Sequence, residues 1–314
     1  MARFWRSILS VPVAAALLAA LALVGCSRET PTPAGPQYSD QPATAPKPLY
    51  RLAIHPLHNP EKLLSVYQPL IDDLNQHLGN GHRFALEASR DYQEFEHKYR
   101  GRGPEFLLPN PWQTLDAMKT GYHVIAMAGD AADFKGIFIV RKDSKISSPA
   151  DLRGKVVSYP SHTALAACIM PQFYLHRHGI DVNREIQNRY VGSQESSIMN
   201  VYLGESAAGV TWPPPWRLFQ HDHPREAAEL KVIWETPPLL NNSFMARDDV
   251  PAAIRDGVRR RLLELDQSPE GRRILAGAAT ARFHAADDAS YQPVRDFVAT
   301  FEREVRPVER KQAR

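Results

Sequence analysis

The sequence predicts an α/β fold with largely parallel sheets, and three features support that class. Short apolar runs alternate with amphipathic stretches from Leu49 onward, which is the pattern of strands connected by helices. The chain has 314 residues, so removal of a leader still leaves enough length for two lobes that each have a core. Residues 250–305 are almost entirely helical in pattern, which predicts a helical C-terminal tail.

The first 25 residues have the features of a secretory signal peptide. Arg3 and Arg6 precede an apolar run that is too short for an easy membrane span. The motif Leu23-Val24-Gly25-Cys26 then resembles the bacterial lipobox, in which the cysteine is acylated and begins the mature chain. We predict a lipoprotein signal peptide over residues 1–25 and lipidation of Cys26 on the periplasmic face of a bacterial membrane. An uncleaved anchor with an incidental cysteine is the alternative.

We predict a disordered tether over residues 26–48, because these residues are rich in proline, threonine and serine and poor in apolar side chains. Cys168 is the only other cysteine, so a chain lipidated at Cys26 can form no internal disulfide. The formal net charge is +3, and the leader supplies two of those charges, so the mature chain is nearly neutral. The chain has no basic stripe with interleaved aromatic residues, so we do not expect a nucleic-acid partner.

The alternation predicts strands at residues 50–54, 82–86, 104–108, 123–128, 136–141, 155–159, 189–192, 207–211, 230–235 and 243–246. Helical periodicity is clearest at residues 64–78 and 163–178. In such folds ligands bind at the carboxyl ends of strands, beside the N-termini of the following helices. Strand–helix junctions that carry hydrogen-bonding groups lie at residues 55–59, 109–112, 160–163 and 192–195. Several such junctions together indicate a cleft.

The third junction reads Pro160-Ser161-His162-Thr163-Ala164 and precedes a small apolar helix start. A helix N-terminus has unpaired N–H groups and a partial positive charge. Hydroxyl groups there can cap the helix or, together with those N–H groups, hold an anion. The local residues alone leave both roles open.

Short pieces of the chain carry a recognisable order and spacing. They are Val140-Arg141-Lys142-Asp143-Ser144 with Ile146, Asp151-Leu152-Arg153-Gly154-Lys155, Ser161-His162-Thr163-Ala164, Gly192-Ser193-Gln194-Glu195, Leu230-Lys231-Val232-Ile233-Trp234 with Pro237, Phe283, and Tyr291-Gln292-Pro293-Val294-Arg295. In that order the pieces resemble the periplasmic phosphate, phosphite and phosphonate binding proteins of ABC importers. The resemblance extends over nearly the whole chain from Leu49.

The resemblance implies a two-lobed type II periplasmic-binding-protein fold, in which each lobe is a mostly parallel sheet flanked by helices. Lobe 1 would comprise residues 49–136 and 236–314, and lobe 2 residues 137–235, with two crossings that form a hinge. Residues 161–164 would hold an oxyanion through hydroxyl and helix N–H groups. The expected ligand-binding residues are His55, Asn110, Trp112, Ser161, His162, Thr163, Ala164, Ser193, Gln194, Trp212 and Asn242.

The cleft departs from that family at positions that are charged or ionisable in phosphonate binders. Gln194 stands in place of a histidine, whereas residues 212–215 and Asn242 stand where aminophosphonate binders have acidic residues. Those acidic residues pair with a ligand ammonium group, so an aminoalkyl phosphonate is not expected. We expect a small oxyanion or a neutral, partly aromatic ligand, with Trp112 and Trp212 as possible walls.

Rival sites have weaker support. His55 with His58, and His221 with His223, lack the further ligands that a metal centre needs. No GxSxG motif is present, so we expect neither an enzyme nor a cofactor. Cys168 reads as a buried small hydrophobe, with a thiol ligand for a soft oxyanion as the alternative. Residues 212–216, WPPPW, read as a rigid turn, with a polyproline partner motif as the alternative.

These observations predict a solute-binding lipoprotein that captures a small oxyanion and delivers it to an inner-membrane ABC permease. A sensory subunit of the same fold, which signals to a membrane histidine kinase, would need the same cleft and tether. A scaffold that binds no ligand is the third hypothesis, because the cleft is altered.

Overall fold

Two β-sheets, each flanked by helices, make up residues 47–308, which are the residues that this computed structural model describes. The signal peptide, Cys26 and all but the last two residues of the predicted tether lie outside the described residues. Between residues 47 and 308, no helix combines the length and the apolar character needed to cross a membrane.

The strands in chain order are β1 (Leu49–Ile54), β2 (Arg83–Glu87), β3 (Phe106–Leu108), β4 (Tyr122–Ala128), β5 (Ile137–Arg141), β6 (Val156–Tyr159), β7 (Gln187–Tyr190), β8 (Ala208–Thr211), β9 (Leu230–Glu235), β10 (Ser243–Arg247) and β11 (Phe283–His284). The α-helices are α1 (Pro60–Leu78), α2 (Tyr92–Arg100), α3 (Pro111–Met118), α4 (Met170–Arg177), α5 (Gln194–Tyr202), α6 (Pro213–Asp222), α7 (Pro224–Ala227), α8 (Ala252–Glu264), α9 (Pro269–Gly277) and α10 (Gln292–Glu304). Every predicted strand is present, and the short β11 is an addition.

The first sheet has six strands in the order β11-β4-β10-β3-β1-β2, and the second has five in the order β7-β6-β8-β5-β9. The expectation of mostly parallel sheets is wrong in detail. Strand β1 pairs parallel with β2 and β3, but β10 runs antiparallel to both β3 and β4. In the second sheet β6 pairs parallel with β7 and β8, whereas β5 runs antiparallel to β8 and β9. Strands β5 and β10 enter from the other sheet, so no helical crossover within one sheet forces them to be parallel.

Each sheet has its own packed interior, which makes the fold two-lobed as expected. The largest cluster of buried apolar side chains surrounds the first sheet and includes Leu107 and Phe244. Two further clusters lie on the second sheet, one containing Phe138 and Val157 and the other containing Ile139. The exact division at residues 136 and 236 stays a prediction.

The chain passes between the lobes twice, and the two crossings are hydrogen-bonded to each other. Gly136 N–H donates to Thr236 Oγ1 at 2.9 Å, and Thr236 N–H donates to the Gly136 carbonyl at 2.9 Å. Glycine is required at this place, because an added Cβ would lie 2.4 Å from the carbonyl oxygen of Ala166. The crossings therefore lie side by side against the start of the helical segment that contains α4.

Beyond α10 the C-terminal segment returns to the second lobe through Arg306. Its guanidinium donates to Gln172 Oε1 at 2.8 Å and to the carbonyl of His162 at 3.2 Å. The same group lies 5.2 Å from the ring centroid of Phe301, a cation–π contact. Arg306 thus connects the helical tail to the junction at residues 160–164.

The helix predicted at residues 163–178 begins differently from the expectation. It opens with a π-helical turn over Leu165–Ile169, in which Ile169 N–H donates to the carbonyl of Ala164 at 3.1 Å, and continues as α4. Pro171 has no N–H to donate into the preceding turn, which disfavours a regular α-helical start. The wider turn follows directly on the polar loop of residues 160–164.

Candidate functional site

The loop of residues 160–164 joins β6 to the π-helical turn and carries two buried hydroxyl groups. Ser161 is 7% exposed and Thr163 is 1% exposed. Their hydroxyl oxygens are 3.0 Å apart, and Ser161 Oγ accepts from Thr163 N–H at 3.3 Å. The residue that precedes the helical turn is Ala164, and no side chain caps that turn. The hydroxyl groups therefore do not perform the capping role that the local sequence left open.

A carboxylate from the first lobe meets this loop. Glu96 lies on α2, is 5% exposed, and its Oε1 accepts from Thr163 Oγ1 at 2.6 Å. The same oxygen accepts from Gln113 Nε2 at 3.2 Å. We call Ser161, Thr163, Glu96 and Gln113 the interlobe cluster. Its members come from both lobes, and each is buried.

Asn110 fixes one side of the interlobe cluster. Its side-chain oxygen caps α3 by accepting from the N–H groups of Trp112 and Gln113 at 2.9 and 3.1 Å. Its Nδ2 donates across the cleft to the carbonyl oxygen of Thr163 at 3.2 Å. Asn110 therefore positions Gln113 on the first lobe and also holds the loop of the second.

Burial dominates the electrostatics of Glu96. Desolvation raises the pKa of its carboxyl group above the ordinary value, and the negative charge of Asp116 acts in the same direction. Hydrogen bonds from Thr163 and Gln113 and the positive charge of Arg100, 3.7 Å away, oppose that shift without reversing it. Glu96 therefore takes up a proton more readily than an exposed glutamate.

A second polar contact between the lobes involves Gln194 on α5. Its Nε2 donates to the hydroxyl of Tyr92 at 3.0 Å, and its Oε1 accepts from Thr211 Oγ1 at 2.8 Å. Tyr92 begins α2, so this contact and the one between Glu96 and Thr163 reach the same helix of the first lobe, whereas Asn110 reaches Thr163 from the start of α3. Gln194 is thus buried between the lobes, as expected for a cleft residue.

Trp212 and Asn242 line a cavity of about 30 Å³, together with Leu57, His58, Leu108 and Asn241. Trp212 is 5% exposed and packs against the ring of Phe134 with centroids 5.4 Å apart. Asn242 is 3% exposed, and its Oδ1 has no hydrogen-bond partner among the described residues. Such a cavity has room for only about two water molecules.

Two further proposed ligand-binding residues are buried. His55 is 2% exposed, its Nδ1 lies 2.9 Å from the carbonyl oxygen of Leu108, and burial lowers its pKa to about 4. Its ring is therefore neutral at physiological pH. Trp112 is 5% exposed and lies in the same cluster of buried apolar side chains as Trp212, so its role as a wall of the cleft stays a prediction.

The remaining site residues lie at the edges of the cleft. Ser193 caps α5, since its Oγ accepts from Ser196 N–H at 3.1 Å. His162 is partly buried, with its ring 5.9 Å from that of Tyr190. Ala164 is 2% exposed and packs in the core of the second lobe. These three residues therefore hold neighbouring segments in place.

The structure also bears on the metal, thiol and polyproline alternatives. Among residues 47–308, no group of three or more histidine, cysteine, aspartate or glutamate side chains could hold a metal ion. Cys168 is fully buried, and burial raises the pKa of its thiol to about 11, so at neutral pH it lacks the thiolate form that acts as a ligand. The WPPPW stretch is not a turn, because Pro213 starts α6, where a missing N–H costs nothing.

The sequence argument missed Glu96, Tyr92 and Gln113. One signal was present: Tyr92, Phe95 and Tyr99 form the buried stripe of α2, and Glu96 occupies the same face. An acidic residue on an apolar face indicates a buried carboxylate, which requires partners. The partners themselves lie far along the chain and could not be read from it.

Comparison with known proteins supports these observations. A family model described as "ABC transporter, phosphonate, periplasmic substrate-binding protein" matches residues 52–291. A probable ABC transporter phosphite binding protein, PhnD1 of Prochlorococcus marinus, is 22% identical over 186 residues, which span 55% of this chain and 63% of the relative. The match thus covers less than two thirds of that relative.

Two solved structures share the fold. The binding protein component of an ABC phosphonate transporter from Pseudomonas aeruginosa has a TM-score of 0.76 at 18% identity, covering 82% of this chain and 88% of its own. PhnD1 of Prochlorococcus marinus in complex with methylphosphonate has a TM-score of 0.73 at 18% identity, covering 81% and 98%. Because the family model spans most of the described residues, this chain belongs to the periplasmic substrate-binding proteins of phosphonate ABC transporters.

Proposed function

We propose that the protein captures a small phosphorus oxyanion between its lobes and delivers it to an inner-membrane ABC permease. The observation that carries this proposal is the loop of residues 160–164. Ser161 and Thr163 lie at the interface between the lobes, and neither caps a helix. Phosphorus oxyanions are favoured over other oxyanions by family membership. They are also favoured by one relative described as a phosphite binding protein and by one solved structure in complex with methylphosphonate.

Two uncharged side chains of the cleft further restrict the ligand. Gln194 and Asn242, which we predicted at ionisable positions of the family, are both buried and uncharged. An ammonium group placed beside them would lose its hydration without gaining an ionic partner from either side chain. We therefore propose phosphate, phosphite or a simple alkylphosphonate as ligand and exclude aminoalkyl phosphonates.

Ligand binding is expected to raise the melting temperature of the full chain, because the ligand binds only the native state. The experiment is a thermal-shift series with methylphosphonate, phosphite, phosphate and 2-aminoethylphosphonate, followed by calorimetric titration. A concentration-dependent rise with methylphosphonate or phosphite supports the proposal. No rise with any phosphorus oxyanion would contradict it and would favour a scaffold that binds no ligand.

The proposed lipid anchor predicts a direct effect of one substitution. Changing Cys26 to Ala should abolish acylation, because the thiol is the only group in the lipobox that accepts the lipid. Metabolic labelling with palmitate measures this change, and the variant should move from the membrane fraction to the periplasmic fraction. Cys168→Ala is the matched control and should label like the wild type. Equal labelling of the Cys26→Ala variant would show that the lipobox interpretation is wrong.

A further inference from the structure

The hydrogen-bond directions in the interlobe cluster are constrained by the number of protons available. Each hydroxyl group has one proton to donate, and an ionised carboxylate has none. Thr163 donates its proton to Glu96 Oε1 at 2.6 Å. The 3.0 Å contact between Ser161 and Thr163 must then use the Ser161 proton. With Glu96 ionised, both hydroxyl protons point away from a ligand.

Protonation of Glu96 allows the same contacts to run in the opposite direction. The carboxyl O–H then donates to Thr163 Oγ1, and Thr163 donates to Ser161 Oγ. Ser161 is left with a proton that it can donate to a ligand oxygen. Only hydrogen atoms turn, because the heavy-atom distances suit either direction.

We propose that Glu96, Thr163 and Ser161 form a hydrogen-bond chain that makes oxyanion binding depend on one proton. The proposal rests on the proposed function, since it concerns the same cleft. A phosphonate or phosphite monoanion can bring that proton as its own P–OH group. A sulfonate has no proton at neutral pH, so it can bind only when Glu96 takes one from solution. The cleft therefore selects protonated phosphorus oxyanions over sulfonates.

The surroundings of Glu96 are consistent with such a switch. Arg100 faces its Oε2 at 3.7 Å, Asp116 lies nearby with a like charge, and Gln113 donates to Oε1 at 3.2 Å. The raised pKa of Glu96 places proton uptake closer to neutral pH than for an exposed glutamate. Asp116 accepts from the Tyr99 phenol at 2.8 Å and from Arg100 Nε at 2.8 Å, so the charge of Arg100 is shared between Asp116 and Glu96.

Methylphosphonate and methanesulfonate test the proposal because they share size and shape and differ in the proton. We expect the wild-type affinity for methanesulfonate to fall about tenfold for each pH unit above the pKa of Glu96. Calorimetry in buffers of different ionisation enthalpy should show uptake of about one proton per methanesulfonate bound. Methylphosphonate should bind near neutral pH with little uptake.

The variant Glu96→Gln should remove the dependence. Its amide gains or loses no proton in this pH range, so the direction of the hydrogen-bond chain no longer changes with pH. We expect methanesulfonate to bind this variant with an affinity that does not change with pH and without proton uptake. Glu94→Gln, on the same helix with a side chain that is 36% exposed, is the matched control and should keep the wild-type slope.

Each outcome is decisive. Three results would overturn the proton-dependent chain: a wild-type affinity for methanesulfonate that does not change with pH, a Glu96→Gln variant that keeps the wild-type pH slope, or methanesulfonate that binds neither protein at any pH. In each case the proposed function still holds if methylphosphonate binds. Failure of methylphosphonate to bind wild type would overturn the proposed function and this proposal with it. The wild-type pH profile needs no variant, so the test stands even where Glu96→Gln does not fold.

Discussion

Replacing both Ser161 and Thr163 with alanine should weaken methylphosphonate binding at least about a hundredfold. Each hydroxyl takes part in the hydrogen-bond chain between Glu96 and the ligand, a hydrogen bond to a charged group contributes about 1.5–3 kcal/mol, and 1.4 kcal/mol corresponds to a factor of ten. Calorimetric titration of the folded variant measures the effect. No helix cap is lost, because neither residue caps the turn that begins at Leu165, but the melting temperature should still fall, because the buried Glu96 loses the hydrogen bond from Thr163.

The control variant removes two hydroxyl groups that lie outside the cleft. Ser65 and Thr300 donate to helical carbonyls at 2.8 and 3.0 Å, outside the cleft. The Ser65→Ala, Thr300→Ala pair should leave the affinity unchanged. If the Ser161→Ala, Thr163→Ala variant keeps the wild-type affinity for methylphosphonate but melts at a lower temperature, the loop has a structural role and does not hold the ligand.

Replacing Arg261 with alanine should lower the free energy of unfolding by about 3 kcal/mol. Arg261 on α8 makes two hydrogen bonds to Asp73 on α1, at 2.6 and 2.5 Å. The Asp73 side chain is only 4% exposed, so its charge would be left buried without this partner. Urea denaturation measures the change.

Arg255 provides the comparison on the same helix. It pairs with Asp256 at 3.0 Å and its side chain is 41% exposed, so Arg255→Ala should cost no more than about 1 kcal/mol. Equal losses in the Arg255 and Arg261 variants would mean that the buried pair between α1 and α8 contributes no more than a surface pair.

The strands were predictable because apolar runs of this length report local burial, and the predicted and observed ends differ by no more than two residues. Strand β11 was missed because two residues cannot show a period. Strand direction was mispredicted for β5 and β10, since that direction depends on which lobe the chain comes from. A sequence pattern carries no information about this.

The candidate site was predictable only in part. Junctions such as residues 160–163 and 192–195 could be found because turn and cap residues mark the ends of strands. The contact between Glu96 and Thr163 joins residues 67 positions apart, and no local pattern encodes it. His55 and Trp112 were assigned to ligand binding by their place at strand–helix junctions, and that assignment stays a prediction because burial alone does not separate a packing role from a binding role.

The contacts of Arg306 restrict how the lobes can move. Opening a two-lobed protein uses one rotational degree of freedom, and the paired crossings at Gly136 and Thr236 leave that rotation available. Arg306 is covalently continuous with the tail helix α10, yet its guanidinium is bonded to Gln172 and His162 in the second lobe. A movement of the second lobe away from the tail would have to break these two hydrogen bonds or carry the tail with it.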